Sequence, residues 1–217
     1  STQHLPLDDI MSVGYEPPHG YGLDVEVFTF ADLRNRVTPE HLQQTQRLAF
    51  YFLALFTDGV CEHMVDFEKI GCQSGSLLLL RPGQVQRFAA DFAHCDGYLL
   101  IFHSDFLQLE TTSLATGELT ACHDLDGFQA HLALGADQTK AMVEGFSRML
   151  LDASLPAPPA DVQRLLRLQV LSSLARLRIL HKGNADVLAL PAVKRFRRYR
   201  HLVESEFARL HQVADYA

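Results

Sequence analysis

No apolar run in the 217 residues reaches the roughly 18–20 needed to span a bilayer. The opening Ser1-Thr2-Gln3-His4 has no basic stretch leading into an apolar one. A soluble, cytoplasmic chain without membrane contact is expected. Only four cysteines occur, Cys61, Cys72, Cys95 and Cys122, and none form a C-x-x-C pair. That spacing suits neither a zinc ribbon nor a dithiol redox centre, and a chain this long builds a core without staples, so free, mostly buried thiols are expected. The nucleophile elbow G-x-S-x-G, a Gly-rich phosphate loop and H-E-x-x-H are all missing. Hydrolase, kinase and zinc-protease chemistry therefore lack a sequence basis. There is no internal repeat and no low-complexity tract.

What is present is ordinary globular composition, 47% hydrophobic and 21% charged, which excludes a disordered or collagen-like chain. The net charge of -7 is unevenly placed. Lys194–Ala217 carries six basic against three acidic side chains, while residues 1–193 carry 13 against 23. An acidic body with a basic tail is the pattern expected when only one end meets nucleic acid, and a solvated charged helix looks similar.

Residues 1–24, with Pro6, Pro17 and Pro18, read as an arm or irregular lead-in. Thr38-Pro39-Glu40 opens a short helix: a capping hydroxyl, proline at the first helical position, and an acid at the positive dipole end. From Leu48 to Phe102 the pattern is β. Leu48–Phe56 is apolar on both faces, and Thr57-Asp58-Gly59 turns. Cys61, His63, Val65 and Phe67 then alternate with more polar residues. Ser76–Arg81, Gln84–Phe88 and Cys95–His103 continue the series, with Gly75 and Pro82-Gly83 as punctuation. Short strands with frequent turns and no intervening helices indicate a sandwich or barrel. Asp137 then opens a helix to about Ser154 with Met142, Phe146, Met149 and Leu150 as its stripe. Pro156, Pro158 and Pro159 break it, and Asp161 opens a second helix to about His181. The second is apolar on more than one face, so Leu166, Val170, Leu174 and Leu177 are expected to pair two subunits in a homodimer, with burial inside one chain as the simpler reading.

The predicted class is α+β: a cupin-like β-barrel or sandwich, then a helical hairpin, then the start of a basic helical segment. The expected divisions are 1–135 for arm and barrel, 136–182 for the hairpin, 183–192 for a linker, and 193–217 for the basic segment. A barrel of this kind holds a metal through H-x-H, a carboxylate, and a later His. Counting back from Gly59, those positions fall on Thr45, Arg47 and Phe52 or on Gln46, Leu48 and Phe52, and after Pro82-Gly83 on Gln86. None of these is a good transition-metal ligand, so no metal and no cofactor are expected. The same positions suit a pocket. Arg47 can grip a carboxylate, Gln86 can orient a hydroxyl or carbonyl, and Tyr51, His63, Phe88 and Tyr98 can serve as walls. An aromatic or other carboxylic acid is the ligand those residues suggest.

Two stretches resemble the AraC family of bacterial transcription regulators. Arg195-Phe196-Arg197, Leu202-Val203-Glu204, Phe207, His211 and Val213-Ala214-Asp215-Tyr216-Ala217 resemble the opening of that family's DNA-binding domain, its first helix and the start of a helix-turn-helix unit. Phe50-Tyr51, Gly59, His63-x-Val65-Asp66-Phe67, Pro82-Gly83-Gln84-Val85 and Asp96-Gly97-Tyr98 resemble its cupin-like effector-binding domain. The resemblance implies a non-enzymatic regulator in which a barrel binds a small effector and the helices dimerise. It also implies a complete C-terminal domain that reads DNA through two helix-turn-helix units. Arg197, Arg198 and Arg200 would then touch phosphates. The sequence ends at Ala217, ahead of either recognition helix, so these 217 residues are expected to lack sequence-specific DNA binding. The runner-up is a metal-dependent cupin enzyme, an isomerase or dioxygenase, which the missing ligand set disfavours.

Overall fold

The computed structural model describes residues 10–17, 20–107, 125 and 128–180. The linker 183–192, the basic segment 193–217 and the phosphate-contact candidates Arg197, Arg198 and Arg200 lie outside them.

Ten strands form two five-stranded sheets among the described residues. The first, sheet A, joins β1 (Met11–Val13), β3 (Gln46–Leu48), β8 (Val85–Phe88), β5 (Val60–Val65) and β6 (Glu68–Gln73), in that spatial order. The second, sheet B, runs β10 (His131–Ala133), β7 (Ser76–Leu80), β4 (Tyr51–Asp58), β9 (Asp96–Phe102) and β2 (Val25–Thr29). All pairs are antiparallel except β1 with β3, where Met11, Ser12 and Val13 run alongside Gln46, Arg47 and Leu48. The lead-in expected to be irregular therefore adds an edge strand.

Between β2 and β3 lie two short helices, α1 (Phe30–Arg36) and α2 (Pro39–Leu42). Thr29 Oγ1 caps α1 by accepting from Asp32 N, and the Asp32 carboxylate accepts from Thr29 N in return. That reciprocal pair satisfies two amides the first turn leaves open. Thr38 caps α2 from the position expected of it, accepting from His41 N.

The β5–β6 turn departs from the sequence reading. Asp66 and Phe67 both take positive φ, 49° and 69°. Phe67 is therefore a turn residue, 54% exposed, and does not extend the inward face of β5. The Asp66 carboxylate holds the turn by accepting from Val85 N and from Gln84 Nε2.

Sheet B has two buried faces. On one, Phe52, Ala54 and Phe56 of β4, Leu78 and Leu80 of β7, and Leu99 of β9 pack inside the barrel against sheet A. On the other, Leu53, Leu55, Leu77, Leu79, Leu100 and Phe102 meet two long helices, α3 (Ala136–Asp152) and α4 (Pro159–Leu180). Strand alternation explains the split, since successive side chains point to opposite faces. The helices are locked together at Asp152, buried, which accepts from Arg148 Nε at 3.1 Å and from Gln169 Nε2 at 2.7 Å.

α4 corrects the expected dimer residues. Leu166, Val170, Leu174 and Leu177 all lie in the core shared with α3 and sheet B. The simpler reading of that stripe, burial within one chain, is what the packing shows. The apolar side chains that face outward are Leu165, Leu168 and Ile179, the last two 58% and 65% exposed.

Candidate ligand-binding site

β3 is short and strictly alternating: Gln46 and Leu48 are buried, Arg47 between them is exposed. Of the two registers weighed, the inward one is thus Gln46 and Leu48. Arg47 stands on the outer face of sheet A and reaches no ligand in the barrel, because an odd–even alternation allows only one of two neighbours inside.

Antiparallel pairing then sets the interior wall. Gln46 stands opposite Gln86, Gln86 opposite Val65, and Phe88 opposite His63. Directly opposed residues share a face, so Gln46, Gln86 and His63 all face the interior from β3, β8 and β5, with His63 diagonal to Gln86. Their exposures are 6%, 1% and 1%.

The polar atoms of these three side chains are incompletely partnered. Gln86 Nε2 donates to Gln46 Oε1 at 2.7 Å, and Gln46 Nε2 donates to the His41 carbonyl at 3.0 Å. Gln86 Oε1 and both ring nitrogens of His63 have no hydrogen-bond partner. The His63 ring stands edge-on to Phe88, centroids 4.8 Å apart at 90°. Burial pushes its pKa down to about 3, partly offset by the Gln86 side chain, which lies within hydrogen-bonding influence of the ring although neither ring nitrogen makes a well-formed bond to it. The imidazole is neutral at any physiological pH, with one nitrogen as donor and the other as acceptor.

The opposite wall is apolar, built from Phe52, Ala54, Leu80 and Leu99. Burying a polar group without a partner costs free energy, so such atoms in native interiors commonly mark bound water or a ligand position. At the α1–α2 end, a surface groove has Leu42 and Phe92 in its lining. Both also belong to the barrel core.

Tyr51 and Tyr98 are placed elsewhere. They lie on the helix-facing side of sheet B, where Tyr51 stacks on Phe102 at 5.2 Å and the Tyr98 hydroxyl accepts from Ser147 Oγ at 2.9 Å. Of the six residues expected to bind the ligand, the fold brings His63, Gln86 and Phe88 onto one inner face and places Arg47, Tyr51 and Tyr98 on others. Gln46 is the member that sequence reasoning did not select, though its register had been counted.

Cys61, Cys72 and Cys95 are buried and free. Cys61 and Cys72 oppose each other across β5 and β6. The neighbouring Cys72 thiol and burial raise the Cys61 pKa, and burial pushes Cys95 up to about 12. Protonated, inaccessible thiols are poor nucleophiles. No group of three or more His, Cys, Asp or Glu among the described residues is arranged to hold a metal ion, and no described helix is long and apolar enough to cross a membrane.

Comparison with known proteins gives one sequence match: the family described as the AraC-like ligand binding domain, over residues 25–168. No curated protein matches. Among solved structures, the AraC-like transcriptional activator CuxR is similar at 11% identity and a TM-score of 0.38, covering 70% of this chain and 48% of that one. The chain spans about half the length of that activator. A lysine-to-alanine variant of apo ToxT from Vibrio cholerae is similar at 10% identity and a TM-score of 0.42, covering 88% and 68% respectively.

Proposed function

Because the chain belongs to the AraC-like ligand-binding domain family, we propose that it is the sensor part of a transcription regulator, whose barrel binds a small effector. The observation that carries this reading is the set of buried polar side chains facing an apolar wall, with the Gln86 oxygen and both His63 nitrogens unpartnered. A barrel interior needing only mechanical stability gains nothing from such groups, since apolar residues of the same size avoid the desolvation cost.

Two subunits pair through the outward face of α4. Leu168 and Ile179 are exposed there, 11 residues apart, about three helical turns, with Ser172 and the half-buried Ala175 on the same line between them. The output is control of DNA binding by a C-terminal helix-turn-helix domain, of which residues 193–217 resemble the opening. The effector must bind one arrangement of the regulator more tightly than another, or nothing switches. No catalytic role is assigned to any residue.

The test is a pair of measurements on wild-type protein and on His63→Leu. A compound library is screened by thermal shift at constant protein concentration. Sensor function predicts at least one compound that raises the wild-type melting temperature and does so much less in the variant. Ligands that stabilise both proteins equally place the binding site outside the barrel.

A further inference from the structure

We infer that the barrel takes an uncharged ligand with a hydroxyl or amide edge and an apolar body, held at that edge by His63 and Gln86. This rests on the effector-binding reading and narrows the chemistry of the same site.

The argument is a count of hydrogen-bonding positions. The Gln amides form a chain with one direction: Gln86 donates to Gln46, which donates to the His41 carbonyl. The chain leaves Gln86 Oε1 as an open acceptor. Neutral His63 adds one open donor and one open acceptor. The site therefore offers acceptors in excess of donors, and the more so where the ring N–H turns to the Gln86 oxygen. Its complement carries donors as well as an acceptor, as a primary amide, a lactam, a urea or a hydroxyl does. A carboxylate carries no donor, so it would satisfy one ring N–H and set its negative charge against Gln86 Oε1 and the other ring nitrogen.

Charge points the same way. Arg47, the cation that would pair with an acid, is exposed on the far side of sheet A. Glu26 shares its face of β2 with Phe28, a barrel-core residue, and its carboxylate is already held by Arg36. An anion held at His63 and Gln86 would be buried beside a neutral imidazole and neutral amides, which is costly in a low-dielectric interior. The wall opposite, Phe52 with Leu80 and Leu99, presents only hydrocarbon, the surface that a planar or aliphatic body fills.

The experiment is titration calorimetry of the 217-residue chain with three probes of one skeleton: benzamide, benzyl alcohol and benzoate, each to millimolar concentration. Wild type, His63→Leu and Gln86→Leu are compared after thermal melts show which variants fold. If Gln86→Leu does not fold, His63→Leu alone decides. Saturable binding of benzamide or benzyl alcohol, at least tenfold tighter than benzoate and weakened at least tenfold by loss of the His63 ring, is the expected result. Benzoate binding as tightly as benzamide, with the same dependence on His63, overturns the uncharged-ligand inference and leaves the effector site standing. Binding that neither variant changes, or no binding by any probe, overturns the barrel site itself and this inference with it.

Discussion

The His63 imidazole meets Phe88 edge to face with ring centroids 4.8 Å apart, while neither ring nitrogen makes a well-formed hydrogen bond. A polar ring occupies a site whose surroundings leave its nitrogens unpartnered. The arrangement makes sense when the free protein is one half of a complex.

Replacing that ring by Leu should therefore stabilise the ligand-free protein. An unpartnered buried polar group costs about 1–3 kcal/mol, so His63→Leu is expected to gain about 1 kcal/mol after repacking losses. Urea denaturation at pH 7.5 measures it. A loss of stability would mean that His63 is satisfied by bound water.

Acid should unfold the wild type more steeply than the variant. His63 has a folded pKa of about 3 and an unfolded value near 6.5. Between those limits the unfolded chain holds one more proton than the folded one, so stability falls as pH falls, by up to about 1.4 kcal/mol per pH unit from this group. His131, also held below its usual range by burial, contributes in the same sense. Melting temperatures from pH 7.5 to pH 4.5 should fall less in His63→Leu, and parallel curves would contradict the assignment.

The amide pair gives a double-mutant cycle. Gln86→Leu strands the Gln46 oxygen and Gln46→Leu strands the Gln86 amide, so each single change should cost about 1–3 kcal/mol. The double variant should cost clearly less than the two costs added, because both partners leave together. Simple additivity would show that the 2.7 Å bond contributes nothing to folding.

The two faces of α4 should separate cleanly. Leu166→Ala empties a fully buried site and is expected to cost about 2–5 kcal/mol. Leu168→Glu and Ile179→Glu act on exposed positions, and should leave the fold intact while converting dimer to monomer in analytical ultracentrifugation. A dimer unaffected by both charges would remove the outer α4 face as the pairing surface.

At Phe67 the backbone takes a φ of 69° that disfavours a side chain with a Cβ. Glycine fits the second position of such a two-residue hairpin turn. Phe67→Gly should raise stability by about 1 kcal/mol, read from denaturant melts.

What was legible followed directly from periodicity. The Thr38 cap, the proline break and the two long helices are local patterns, and each lies where its pattern places it. The strands were legible as a series but not in their bounds, since Leu48–Phe56 spans the end of β3 and most of β4, and Thr57 and Asp58 belong to β4. The pocket was harder because alternation says which residues share a face and not which face is inside. Arg47 and Gln46 are neighbours, so either register satisfied the sequence, and only the pairing with Gln86 selects between them. Tyr51 and Tyr98 failed for the opposite reason. In a strand buried on both sides, aromatic residues on the two faces look alike, and the first of the helices that claim one face begins 85 residues after Tyr51. The same ambiguity moved Leu166, Val170, Leu174 and Leu177 from an interface to a core.

Sheet B is close-packed on both sides, while the outer face of sheet A carries Arg47, Ala49, Lys69 and Gln73 in solvent. The two halves of the barrel therefore differ in compliance. Any displacement of sheet B would carry α3 and α4 with it, because the interior between them is close-packed, and the Ser147–Tyr98 bond ties the sheet to the first of those helices.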